Sequence, residues 1–128
     1  MKNNLELYKC SICGQIVEVV LVGQGTLVCC NKNMDLMVAN TIEASAEKHL
    51  PVVEIKGEEK VVRVGSIPHP MEEHHYIQFI EAISNDKKTL VRKYLFPNED
   101  PLMKFKCECS DGIAVRELCN IHGLWSSE

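Results

Sequence analysis

The sequence predicts an all-β chain in two parts, a small metal knuckle followed by a β-sandwich of immunoglobulin-like shape. Three observations carry this prediction. Short β-rich runs separated by turn-forming residues recur from Val52 to Cys119, a pattern typical of sandwiches. Four of the seven cysteines are gathered between Cys10 and Cys30, and every histidine lies at or beyond His49. The expected division is therefore residues 1–38 for the knuckle and 39–128 for the sandwich.

In the knuckle, Cys10-Ser11-Ile12-Cys13 is followed by the β-rich run Gln15 to Val22, a Gly23-Gln24-Gly25 turn and the adjacent pair Cys29-Cys30. The spacer is long enough for a strand out and a strand back, which brings the two cysteine pairs to one point. Four thiolates suit a tetrahedral ion with metal–sulfur bonds of about 2.3 Å, and zinc and iron both fit. Adjacent cysteines on a strand point to opposite faces, so a distorted tetrahedron is expected. A unit this small has almost no core, and the metal must stabilise it.

Strands are expected in the second part at Val52–Ile55, Lys60–Val64, His75–Ile80, Thr89–Phe96, Leu102–Cys109 and Ile113–Cys119. Their separators are Gly57-Glu58-Glu59, Asn85 to Lys88, Pro97 to Pro101 and Ser110-Asp111-Gly112, all with turn chemistry. Ile77, Ile80 and Ile83 also fit a helical stripe, but the β-branched density favours a strand. Cys107 and Cys109 alternate with Met103 and Phe105, which places them on one strand face as buried core thiols. As a redox pair they are poorly placed for an intrachain bridge.

The chain has 128 residues and a formal charge of -4, with its 14 basic residues scattered, which argues against nucleic acid as a partner. No apolar run reaches membrane-spanning length, and Met1 to Glu6 lack the apolar core of a signal peptide. A cytoplasmic protein without membrane contact is expected. Seven cysteines in that setting point to metal ligands more than disulfides.

A second donor set lies in the sandwich. His49 stands in Glu47-Lys48-His49-Leu50-Pro51, and His69 is framed by Pro68 and Pro70, which restrict the neighbouring backbone. Of the adjacent His74 and His75, one can point inward from a strand. Cys119 and His122 are three apart and followed by Gly123. Four imidazoles and one thiolate exceed the closed tetrahedron of structural zinc, whereas iron with an open position accommodates them.

Together, Tyr8-Lys9-Cys10-x2-Cys13-Gly14, Leu27-Val28-Cys29-Cys30, Glu47-Lys48-His49-x-Pro51, His69-Pro70-Met71-Glu72-Glu73-His74-His75 and Cys119-Asn120-x-His122-Gly123 resemble the desulfoferrodoxins, two-iron superoxide reductases, from Leu7 to Trp125. The resemblance implies a desulforedoxin-like ferric centre at Cys10, Cys13, Cys29 and Cys30. It also implies a ferrous catalytic centre with His49, His69, His75 and His122 equatorial and Cys119 axial, the motif selecting His75 over His74. Superoxide would be the substrate and hydrogen peroxide the product, with a rubredoxin-like electron donor. Lys48 would attract the anion and help deliver protons, and Glu47 would close the open position after turnover. Otherwise, these two residues form an ordinary exposed ion pair. A homodimer is expected from the resemblance and from the unpaired edge of a small knuckle. The rival readings are a non-catalytic iron electron-transfer protein and a zinc-knuckle protein-interaction module.

Overall fold

A computed structural model describes residues 3–41, 50–65, 69–107 and 112–126, and among these described residues turn chemistry and β-branched runs set out twelve strands. The chain forms two units, Met1–Val38 and Ala39–Glu128. Among the described residues there is no helix, and hence none long and apolar enough to cross a membrane.

The first unit contains β1 (Leu7–Lys9), β2 (Ile16–Glu18), β3 (Val28–Cys29), β4 (Lys32–Asn33) and β5 (Asp35–Leu36). They form a three-stranded sheet in the order β2-β1-β5 and a separate β3-β4 hairpin. Among the described residues of this unit only Leu7, Cys10 and Val19 are buried, while Val20 and Leu21 are 75% and 81% exposed. The expected long strand from Gln15 to Val22 is limited to β2, because Val19 leaves the ladder to bond Glu6 and Leu5 through its own N–H and carbonyl.

The second unit contains β6 (Pro51–Lys56), β7 (Glu59–Val64), β8 (Ile77–Ser84), β9 (Leu90–Tyr94), β10 (Leu102–Lys106), β11 (Ile113–Cys119) and β12 (Gly123–Ser126). The sheets run β10-β7-β6 and β12-β11-β8-β9, antiparallel throughout. One core joins them: Val62 and Val64 from the first, Ile80, Ala82 and Val115 from the second, with Met103 and Cys119. This is the expected sandwich.

The isoleucine stripe that resembled a helix has a local cause. Leu118 pairs with Phe79 but Cys119 pairs with Ile77, so the ladder skips Gln78. The irregularity changes strand parity, and Ile77 and Ile80, three apart, both enter the core. Strand β12 was not expected; it follows a three-residue loop too short to give a separate hydrophobic signal. Cys107 corrects the expectation of buried core thiols: it lies just past β10, where strand alternation ends, is half-buried, and is disulfide-bonded. Cys109 lies outside the described residues.

On the other face of β8, Glu81 is fully buried beneath Arg92 and Arg116. Both arginines are its cross-strand partners, which lets each guanidinium close on one carboxylate oxygen. Arg92 also lies 6.0 Å from the Phe79 ring and 5.8 Å from that of Tyr94. Removing the anion leaves two partly buried cations facing each other. Glu81→Ala should therefore destabilise the second unit by about 3 kcal/mol, measured by denaturant unfolding; a change within ±0.5 kcal/mol, the usual range for surface substitutions, would contradict this account.

Candidate metal centres

The first cluster is shaped by two turns. Cys10 accepts at its carbonyl from Gly14 N–H at 3.0 Å and donates its own N–H to Gln15 at 2.9 Å, with Gly14 at φ 83, where glycine escapes steric cost. This folds Cys13 back over Cys10, whose sulfur accepts the Cys13 N–H at 3.5 Å. At the other pair, Cys29 ends β3 and Cys30 with Asn31 forms the two-residue hairpin loop, at φ 54 and 60. Such a turn needs left-handed residues, and Asn tolerates this well. The expectation that Cys29 and Cys30 diverge is thus corrected: Cys30 is in a turn, not on a strand, and the two sulfurs lie 3.9 Å apart.

Cys13 Sγ and Cys29 Sγ are 3.6 Å apart. A tetrahedron with metal–sulfur bonds of about 2.3 Å has sulfurs about 3.8 Å apart, so these separations fit a tetrathiolate ion. The protonation pattern agrees with that purpose. Backbone N–H groups of Cys13 and Ile12 pull Cys10 down to about 6, whereas hydrogen bonds with the thiols of Cys13 and Cys10 push Cys29 up to about 12. Cys30 is raised as well, first through its hydrogen bond with Cys13. The four sulfurs cannot all ionise side by side until a cation compensates them.

The second cluster joins two loops of the second unit. His69, His75, Cys119 and His122 each offer one ligand atom, and these atoms lie within 4.8 Å of one another. His69 is buried, and its Nδ1 is 2.7 Å from the Pro70 carbonyl, a contact that orients Nε2 the other way. His75 emerges from a tight turn in which Glu72 and His75 exchange both backbone hydrogen bonds. The exposed His74 occupies the tip, so His75 is the member that reaches the cluster. The His69 and His75 rings meet edge-on at 4.7 Å and 82°, and those of His75 and His122 at 5.0 Å and 68°.

Cys119 and His122 bracket the loop between β11 and β12. Gly123 closes it at φ 84; a Cβ would have room there, so the requirement is conformational. His122 N–H donates to Cys119 Sγ at 3.4 Å, His122 Nδ1 stands 3.7 Å from that sulfur, and Trp125 Nε1 donates to the His122 carbonyl at 3.2 Å. Burial pushes the Cys119 thiol up, opposed by the N–H groups of His122 and Ile121; the buried Glu117 adds to the rise. The buried Nε2 atoms of His69 and His75 make no hydrogen bond among the described residues. Three imidazoles and a buried thiol whose ligand atoms lie within 4.8 Å of one another suit a metal ion of intermediate softness, iron included. Glu47, Lys48 and His49 lie outside the described residues.

Asn120 was not singled out from sequence except as part of a motif. Its Oδ1 accepts from Tyr76 N–H at 2.9 Å, its Nδ2 donates to the His74 carbonyl at 3.1 Å, and its N–H donates to the Tyr76 carbonyl at 3.2 Å. It fastens the loop carrying His75 to the loop carrying Cys119 and His122. Asn120→Ala should weaken iron retention at this centre by about tenfold in chelator competition, with the tetrathiolate centre unaffected; equal retention would contradict the role.

Comparison with known proteins places this geometry. Residues 41–128 match the desulfoferrodoxin family and residues 2–37 the desulfoferrodoxin N-terminal domain. The chain is similar to a desulfoferrodoxin of Syntrophotalea carbinolica, 50% identical over 100% of this chain and 99% of that one. It is similar to a protein of Pyrococcus abyssi named superoxide reductase, 32% identical over 72% of this chain and 96% of the relative. Among solved structures, the superoxide reductase from Treponema pallidum superposes with a TM-score of 0.74 at 26% identity, covering 100% of both chains. With both parts matched and half the residues identical to a full-length relative, the chain belongs to the desulfoferrodoxin family.

Proposed function

We propose that the protein is a superoxide reductase, converting superoxide to hydrogen peroxide at an iron held by His49, His69, His75, His122 and Cys119, with a second iron held by Cys10, Cys13, Cys29 and Cys30. The observation that carries this reading is the convergence of three imidazoles and one buried thiol within 4.8 Å, in a family whose relatives include proteins named superoxide reductase. Residues 1–38 form the desulforedoxin-like part and residues 39–128 the catalytic part.

When bound and ferrous, the ion of the second centre supplies the electron that, with two protons, takes superoxide to hydrogen peroxide. The chain does the rest. Cys119 is kept out of water, and the N–H groups of His122 and Ile121 stabilise its thiolate form; the thiolate itself is the donor that would push electron density toward substrate, and the two N–H groups moderate that push. Lys48, next to His49, supplies positive charge to draw in a small anion against the overall charge of -4, and a proton for the product. Glu47 would be the carboxylate that displaces peroxide from the ferric centre and protects the site.

The same proposal includes a rubredoxin-like donor, a cytoplasmic setting, a role in superoxide detoxification and a homodimer. The five free cysteines among the described residues are the ones grouped as metal ligands, and Cys107, which is disulfide-bonded, stands apart from them. An apolar groove of about 700 Å³, lined in part by Val17, Val20, Leu21 and Val28, supports association through the knuckle.

Pulse radiolysis of the chemically reduced protein tests the activity. Iron oxidation with one hydrogen peroxide formed per superoxide, and no dioxygen, is expected; dioxygen release or an inert iron would overturn it. The same measurement separates Lys48 from Glu47. Lys48→Ala should slow the second-order step about tenfold, and the wild-type rate should fall with salt, whereas Glu47→Ala should leave that step unchanged and alter the resting ferric spectrum. Equal slowing in both variants with no salt dependence would contradict the division of roles.

A further inference from the structure

Lys32 is the residue with an unassigned part in the first centre. Its backbone pairs with Cys29 across the β3-β4 hairpin, so the two side chains leave the same face of the ribbon with Cβ atoms about 5 Å apart. Its ammonium donates to Ser11 Oγ at 3.1 Å. Ser11 lies inside the Cys10–Cys13 loop. One side chain thus starts on the hairpin that carries Cys29 and Cys30 and ends on the loop that carries Cys10 and Cys13. A lysine has only donors at its tip, so the direction of the bond is settled and the positive end is tied to the loop between Cys10 and Cys13.

The charge has a consequence only if the centre changes its own. Four thiolates around a ferric ion carry one net negative charge, and adding an electron makes it two. A fixed cation nearby stabilises the more negative state, whereas a lysine free to swing into water is largely screened. Cys13 and Cys30 are exposed, so an electron can reach the centre from solvent, and a charge anchored on the Cys10–Cys13 loop acts on the centre that receives it. For stability alone the bond would matter little, as an exposed polar contact.

We propose that Lys32, anchored on Ser11 and facing Cys29, is a positioning residue that favours the reduced state of the tetrathiolate iron and so sets how readily this centre accepts an electron. The inference rests on the reading of the first centre as iron. It concerns electron transfer into the protein and leaves the chemistry at Cys119 and the histidines untouched.

A spectroelectrochemical titration of the full-length, iron-loaded protein, followed through the visible tetrathiolate band, tests it. At the potential where the wild type is half reduced, Lys32→Gln should hold about threefold more ferric than ferrous centre, a shift of about 28 mV from the one-electron relation of 59 mV per tenfold. Lys32→Arg, which keeps the charge, should titrate with the wild type. Ser11→Ala keeps both charge and ligands but removes the anchor, and should shift in the same direction by less. The Ser11 variant also carries the test should Lys32→Gln fail to take up iron. A Lys32→Gln titration that overlays the wild type, or Lys32→Arg shifting as far as Lys32→Gln, would overturn the proposal with the iron reading intact. Absence of the tetrathiolate band in the wild type would overturn the iron reading and the proposal with it.

Discussion

The pairing of β8 with β11 is the constraint on which the second centre depends. Antiparallel register from Ile113↔Ser84 to Leu118↔Phe79 brings the start of β8 and the end of β11 to the same edge of the sandwich. His75 stands just before one strand, and Cys119 ends the other. The skipped residue opposite Leu118 and Cys119 then turns Ile77 and Cys119 together into the core. A uniform ladder would carry one of the two to the opposite face. Cys119 is therefore buried because of where the strands are paired, and its raised thiol follows from that burial.

Burial divides the two clusters chemically. Cys119 sits at 1% exposure among core side chains, whereas Cys13 and Cys30 face solvent. A sulfur that is dry and supported by peptide N–H groups suits a centre where small-molecule chemistry must be controlled. Sulfurs on turns at the surface suit a centre that exchanges electrons with another protein. The knuckle around them buries too little apolar surface to be stable unaided, with Leu7, Cys10 and Val19 as its buried apolar residues, so its fold and its metal are coupled.

Much of this was legible in the sequence because metal ligands are chemically distinctive. Cysteine and histidine at short spacings stand out against any background, and Pro68-His69-Pro70 marks a constrained backbone directly. The strands of the sandwich were legible through β-branched runs between turns. What was not legible depends on relations between distant residues. The pairing of Glu81 with Arg92 and Arg116 exists only in a given register, and the staple made by Asn120 requires two loops to be neighbours. The two-residue turn at Cys30 and Asn31 hid behind the alternation rule for strands, which fails where a strand ends. Cys107 was misread for the same reason at the end of β10.

The central claim is that one thiolate and a set of imidazoles from separate loops share one iron, apart from the tetrathiolate centre. Iron X-ray absorption on a Cys13→Ser variant, in which only the second centre retains iron, addresses it most directly. The account predicts a single sulfur neighbour together with an imidazole scattering pattern. An iron environment with no sulfur, or with more than one, would contradict it.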